Sequence, residues 1–332
     1  MAELQDTQKT MNPHDENASF PPDPVSGGEG STAPPSEPTA ASPLNYSPIV
    51  ASKRLIAESH FPPDLQITWF WVHGLVFALF ILITLSVVPV VLVLRYAPHQ
   101  KLTDKQLQEF LVSQPVVSIG STVIAYGLIL FFLYMTLAVL REQAFWKSLG
   151  WRKIEPHVVT LPKNPLVYFF AGGVLSLLVA LATSVVHAPE DTPIEQVFHH
   201  RKTAILFLSV AVLIAPLVEE TIFRGYLYPL FVRIISAVLR WRGVEDATAL
   251  HGGIFCSILL TGILFGLMHG PQLGGAKSLI AVLIVVGIIF TIVRARTGST
   301  LASFMMHLGY NSLISIFALI GTHGFTKMPP GH

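Results

Sequence analysis

The sequence predicts an all-α polytopic membrane protein with about seven to eight transmembrane helices, its chemistry concentrated in the C-terminal half. Three observations predict this. Hydrophobic residues make up 52% of the chain and charged residues 12%, whereas a soluble globule carries about 25% charged residues. Apolar runs recur that are long enough to cross a bilayer, which takes about 20 residues. The ionisable residues inside the later runs gather in three short clusters, and such residues are costly in a membrane and usually functional. Mean hydropathy is +0.58. The formal net charge of +1 gives no reason to expect a nucleic-acid partner; the partner it leaves is the lipid bilayer. The single cysteine, Cys256, excludes an internal disulfide framework and reads as a small apolar packing residue.

Residues 1–60 are a different material from the rest. Residues 20–48 are rich in Pro, Ser, Ala and Gly, too poor in large aliphatic side chains to bury a core, and are expected to be disordered. No basic n-region followed by an apolar h-region opens the chain, so no cleaved signal peptide is expected. Residues 61–200 hold three predicted spans. The first, 67–94, is flanked by the interfacial aromatics Trp69, Trp71 and Tyr96 and is expected to kink at Pro89. A polar stretch, 95–108, leads to the second span, 116–140. A basic loop, 141–163, leads to the third, 166–186, where Gly172-Gly173 offers close helix approach. A polar loop with Glu190, Asp191 and Glu195 follows.

Residues 201–322 form the predicted catalytic core, with a short tail at 323–332. The fourth element, 203–239, is too long for one straight span. It reads as a span bent near Pro216 that passes into an amphipathic interfacial helix; dividing it would make eight spans. The fifth, sixth and seventh spans are predicted at 253–269, 279–293 and 301–320, with a Gly- and Pro-containing loop at 270–275. Seven spans place the basic segments 141–163, 233–242 and 294–296 on one side together with the N-terminal tail, and the positive-inside rule makes that side cytoplasmic.

Within Glu219-Glu220-Thr221-Ile222-Phe223-Arg224, Glu220 and Arg224 are four apart and share a helix face, so they can pair. Glu219 is rotated by about 100°, has no local partner, and is left to meet a substrate or a water. A carboxylate so placed suits general acid–base chemistry. In Phe265-Gly266-Leu267-Met268-His269 the phenyl ring and the imidazole share a face. In His307-Leu308-Gly309-Tyr310-Asn311 the imidazole and the amide lie one turn apart; both can donate to an oxyanion and both can ligate a metal. His269 ends the fifth span while His307 lies about two turns into the seventh, so they meet only if the fifth helix starts late, is tilted or is unevenly immersed. His73, His199, His200, His323 and His332 read as structural or incidental, His73 for want of polar company.

These motifs, in this order on three late spans, resemble the CPBP family of intramembrane proteases, the CAAX-protease and bacteriocin-processing (Abi) family. Ala215-Pro216-Leu217, Gly225 and the turn Arg296-Thr297-Gly298-Ser299 share the resemblance, which covers about residues 203–320. It implies a glutamate-dependent endopeptidase acting on a membrane-associated protein or peptide. By resemblance Glu219 activates water, His269 helps hold it, His307 and Asn311 form the oxyanion hole, and Glu220 and Arg224 orient the site. No cofactor is required by that mechanism. The family has also been regarded as metalloproteases, and two His with a Glu admit zinc, although no His-Glu-x-x-His helix is present. The compact, loop-poor chain looks like bacterial members, which implies a bacterial cytoplasmic membrane and no commitment to a prenylated CAAX substrate. Two other readings use the same residues: a non-catalytic immunity or binding protein, and a proton-coupled transporter. The transporter predicts repeat symmetry, but residues 60–200 hold no second copy of the motifs.

Overall fold

The structure, a computed structural model, describes residues 61–96, 114–184 and 201–326, with single positions at 103, 106, 110 and 198. The predicted disordered tail, most of the 95–108 stretch, the acidic loop with Glu190 to Glu195, and His199, His200 and His332 lie outside the described residues. Within them the chain is helical: α1 (Trp71–Tyr96), α2 (Pro115–Leu133, continued by a wider π-type segment Tyr134–Val139), the single turn α3 (Phe145–Ser148), α4 (Pro165–Thr183), α5 (Arg201–Trp241), α6 (Asp246–Met268), α7 (Lys277–Thr297) and α8 (Thr300–Gly321). All except α3 are long and apolar enough to cross a membrane, so the protein is an integral membrane protein with seven candidate spans. The outer face of α1, with Val76, Leu79 and Ile83 exposed, is suited to lipid, and α1 runs unbroken through Pro89.

Lipid offers no hydrophobic drive between helices, so close approach depends on small residues. Two glycine contacts set the frame. A side chain on Gly172 of α4 would strike the backbone of Met306 in α8, and one on Gly309 of α8 would strike the backbone of Phe169 in α4. The two helices therefore touch main chain to main chain. Across the α6–α7 hairpin, Gly262 lies against Ile288 and Gly266 against Ile284.

α6 begins at Asp246, about two turns earlier than predicted, because the carboxylate of Glu245 accepts from the amides of Ala247 and Thr248 and caps the helix. Those extra turns pack on the last part of α5, where Gly252 lies against Leu239 and the next residue, Gly253, against Ser236. The C-terminal end of α6 lies level with the motif on α8, so that His269 and His307 both approach Oε2 of Glu219.

α5 departs twice from α geometry, at Val210–Ile214 and at Thr221–Leu227. The first departure sits where the bend at Pro216 was predicted, and it has a local cause. Across the π-type segment the Ala215 amide bonds back to the Val210 carbonyl. In that register the next amide, at residue 216, would serve Ala211, but proline has none. Asn311 of α8 supplies the missing donor, its Nδ2 lying 2.8 Å from the Ala211 oxygen.

Arginines from three separate parts of the chain converge on residues 61–70, ahead of α1. Arg141 donates to the Thr68 carbonyl at 2.5 Å, Arg233 to the Ile67 carbonyl at 2.6 Å, and Arg294 to the Asp64 carboxylate and carbonyl at 2.9 and 3.0 Å. The three predicted basic segments thus share one end of the bundle. Arg294 is not a loose turn charge: it is buried in α7, and its partner carboxylate is also approached by His157 at 3.4 Å. Two smaller expectations are corrected. Cys256 is exposed on α6 rather than packed in the interior. His73 has polar company, because Nδ1 bonds the hydroxyl of Tyr226, brought over from α5.

Candidate active site

The one α-helical turn between the two departures in α5, Ala215–Glu220, carries both acids. Glu220 is fully buried and pairs with the fully buried Arg224 at 2.9 Å, as the four-residue spacing predicts. Arg224 also donates to the Gly287 carbonyl of α7 at 2.8 Å, and its guanidinium lies 4.5 Å from the Phe265 ring centre and 5.4 Å from that of Phe290. A carboxylate, a carbonyl and two aromatic faces together offset most of the cost of burying this cation, while Nε of Arg224 and Oε2 of Glu220 are buried without a hydrogen-bond partner among the described residues.

The same Glu220 oxygen accepts from Nδ1 of His307 at 3.0 Å. The Phe265 carbonyl accepts from Nδ1 of His269 at 2.7 Å. Both acceptors lack protons, so both imidazoles carry hydrogen on Nδ1 and turn Nε2 inward. Each Nε2 lies 3.9 Å from Oε2 of Glu219. That separation is too long for a direct hydrogen bond and leaves room for a bridging water. Phe265 braces both rings, at 4.7 Å from His269 and 5.7 Å from His307, and Phe290 lies 4.8 Å from His307.

Glu219 therefore does meet both histidines, but it is not without a partner. The hydroxyl of Tyr126, on α2, donates to Oε1 of Glu219 at 2.9 Å. Reading the motifs alone misses Tyr126. Its signal was a stripe of hydroxyls, Ser118, Thr122 and Tyr126, spaced four apart on one face of an otherwise apolar span. Asn311 shares the cavity lining with Glu219 and His307, and one of its amide protons is committed to Ala211. The second remains for another acceptor.

Two cavities, of about 510 and 660 Å³, meet at Glu219. Both are lined by Thr122, Tyr126, Glu219, His269 and Gln272. The first continues between α5, α7 and α8 past Phe290 and Ile314, the second between α1, α2 and α5 past Leu82 and Ile222. Their walls are mainly aliphatic and aromatic, with the polar groups at the junction.

The donors do not close around a metal. Tetrahedral zinc with ligands at about 2.0–2.1 Å would draw its ligand atoms to roughly 3.3 Å from one another. Here each imidazole nitrogen is 3.9 Å from the carboxylate oxygen, and among the described residues no group of three His, Cys, Asp or Glu side chains has metal-holding geometry.

Residues 201–313 match the family model described as type II CAAX prenyl endopeptidase Rce1-like. No curated protein and no solved structure matches the chain. The matched segment holds every residue of the three motifs, and the resemblance they carry extends over it.

Proposed function

We propose that this protein is an intramembrane endopeptidase that hydrolyses a peptide bond of a membrane-associated protein or peptide, with Glu219 as the base; the match of residues 201–313 to the Rce1-like CAAX endopeptidase model supports the reading. The observation that carries the reading is the convergence of Oε2 of Glu219 and two imidazole nitrogens, each 3.9 Å from it, at the junction of two apolar cavities. A water between them is within reach of all three groups.

In the proposed reaction the water oxygen attacks the scissile carbonyl carbon and one water proton passes to Glu219. The carbonyl electrons move onto oxygen, where Asn311 donates its free amide proton and His307 donates from Nε2 when its ring carries both protons. The carbon–nitrogen bond then breaks, and the leaving amine takes the proton from Glu219. His269 helps hold the water. Glu220 and Arg224 hold His307 in place without touching the reacting atoms. No step passes through a metal, because the donor spacing does not fit one. The end of the bundle that gathers Arg141, Arg233 and Arg294 is placed in the cytoplasm by the positive-inside rule, with the chain in a bacterial inner membrane.

The test compares protein termini in membranes of cells carrying wild type or Glu219→Ala at matched abundance. New termini seen only with wild type are expected. Identical termini under conditions where the protein is needed would instead favour a non-catalytic binding or immunity protein.

A further inference from the structure

We infer that Tyr126, on a helix outside the matched family segment, is a positioning residue that selects which oxygen of Glu219 does the chemistry; this rests on the reading of Glu219 as the base. A carboxylate with no partner on its own helix can present either oxygen, and Glu220 has already taken Arg224. The Tyr126 hydroxyl, 2.9 Å from Oε1, removes that freedom. With Oε1 engaged, Oε2 is the oxygen 3.9 Å from both His269 and His307.

The hydroxyl is itself held firmly. Tyr126 stands beside the buried ridge Ala125, Ile129 and Leu133, exposed by no more than 2%, and a tyrosine has only two side-chain torsions to fix. It also lies in the lining of both cavities, so a chain spanning them passes the ring at the point where it meets Glu219. The N-terminal helices thereby contribute to the site.

Three variants test the inference: Tyr126→Phe, Glu219→Asp and their combination, with Glu219→Gln as reference. All are reconstituted in proteoliposomes and assayed with an internally quenched peptide spanning a cleavage site from the terminus comparison. Tyr126→Phe is expected to lower kcat by about tenfold to a hundredfold, the effect of one hydrogen bond to a charged group, with KM within about twofold and the melting temperature unchanged. In the Glu219→Asp background the carboxylate is one methylene shorter and does not reach the hydroxyl, so the same change is expected to cost little.

An unchanged kcat for Tyr126→Phe, an equal loss in both backgrounds, or a loss matched by lower thermal stability would overturn the inference. If Glu219→Gln retains full turnover, or no cleavage site exists, the base assignment itself fails. If Glu219→Gln is inactive and Tyr126→Phe is not impaired, only the inference about Tyr126 fails.

Discussion

Replacing Arg224 with alanine removes three things at once. Glu220 loses its ion pair at 2.9 Å, the Gly287 carbonyl loses its donor at 2.8 Å, and the faces of Phe265 and Phe290 lose the cation between them. The carboxylate left behind is fully buried, and among its remaining neighbours His307 already uses the same oxygen. Removing one partner of a buried pair costs about 3–5 kcal/mol, out of a total stability of roughly 5–15 kcal/mol. A fall in melting temperature on the order of 10 °C follows, together with reduced abundance in the membrane. Glu219→Gln should cost far less, about 1 kcal/mol, because Glu219 is part-exposed and keeps an acceptor for Tyr126. The double variant Glu220→Gln with Arg224→Met removes both charges and should recover part of the loss. The assay is thermal unfolding of the solubilised protein, read alongside abundance at matched expression. An Arg224→Ala protein that melts within a few degrees of wild type, or no lower than Glu219→Gln, would refute the claim that the pair supports the fold.

Three further outcomes are expected. Asn311→Leu should destabilise the protein by about 1–3 kcal/mol by stripping the Ala211 carbonyl of its donor; in Pro216→Ala, where a backbone amide returns to that carbonyl, thermal unfolding should show a much smaller loss. Gly172→Val should abolish folded protein because the side chain meets Met306 main chain, whereas Gly173→Ala, whose added carbon would lie 3.7 Å from Leu313, should express and melt normally. Peptidase activity should survive chelation by 1,10-phenanthroline; loss of turnover restored by added zinc would count against metal-free water activation.

Much of this protein is legible along its own chain, and the reasons are local. Span number follows from runs of apolar residues, since a bilayer demands them whatever the tertiary arrangement. The Glu220–Arg224 pair follows from helix periodicity, which places residues four apart on one face in any context. The departure from α geometry near Pro216 follows from an amide that proline does not have. The family motifs are local strings as well.

What the chain did not disclose depends on which helices become neighbours and at what height. The approach of His269 and His307 to one oxygen of Glu219 depends on the height of α6, which its glycine contacts set against α7. Tyr126 becomes a partner of Glu219 only because α2 packs beside α5, and a tyrosine in an apolar span reads equally as interfacial or packing until that is known. Asn311 was singled out for an oxyanion, yet one of its protons serves a carbonyl one hundred residues away in sequence. Arg294 reads in sequence only as part of a basic segment, and it is the fold that brings Asp64 to it. Periodicity decides which side chains share a face of one helix, whereas only packing decides what that face touches. A site assembled from α2, α5, α6 and α8 therefore had its ingredients written in sequence and its geometry settled by tertiary contact.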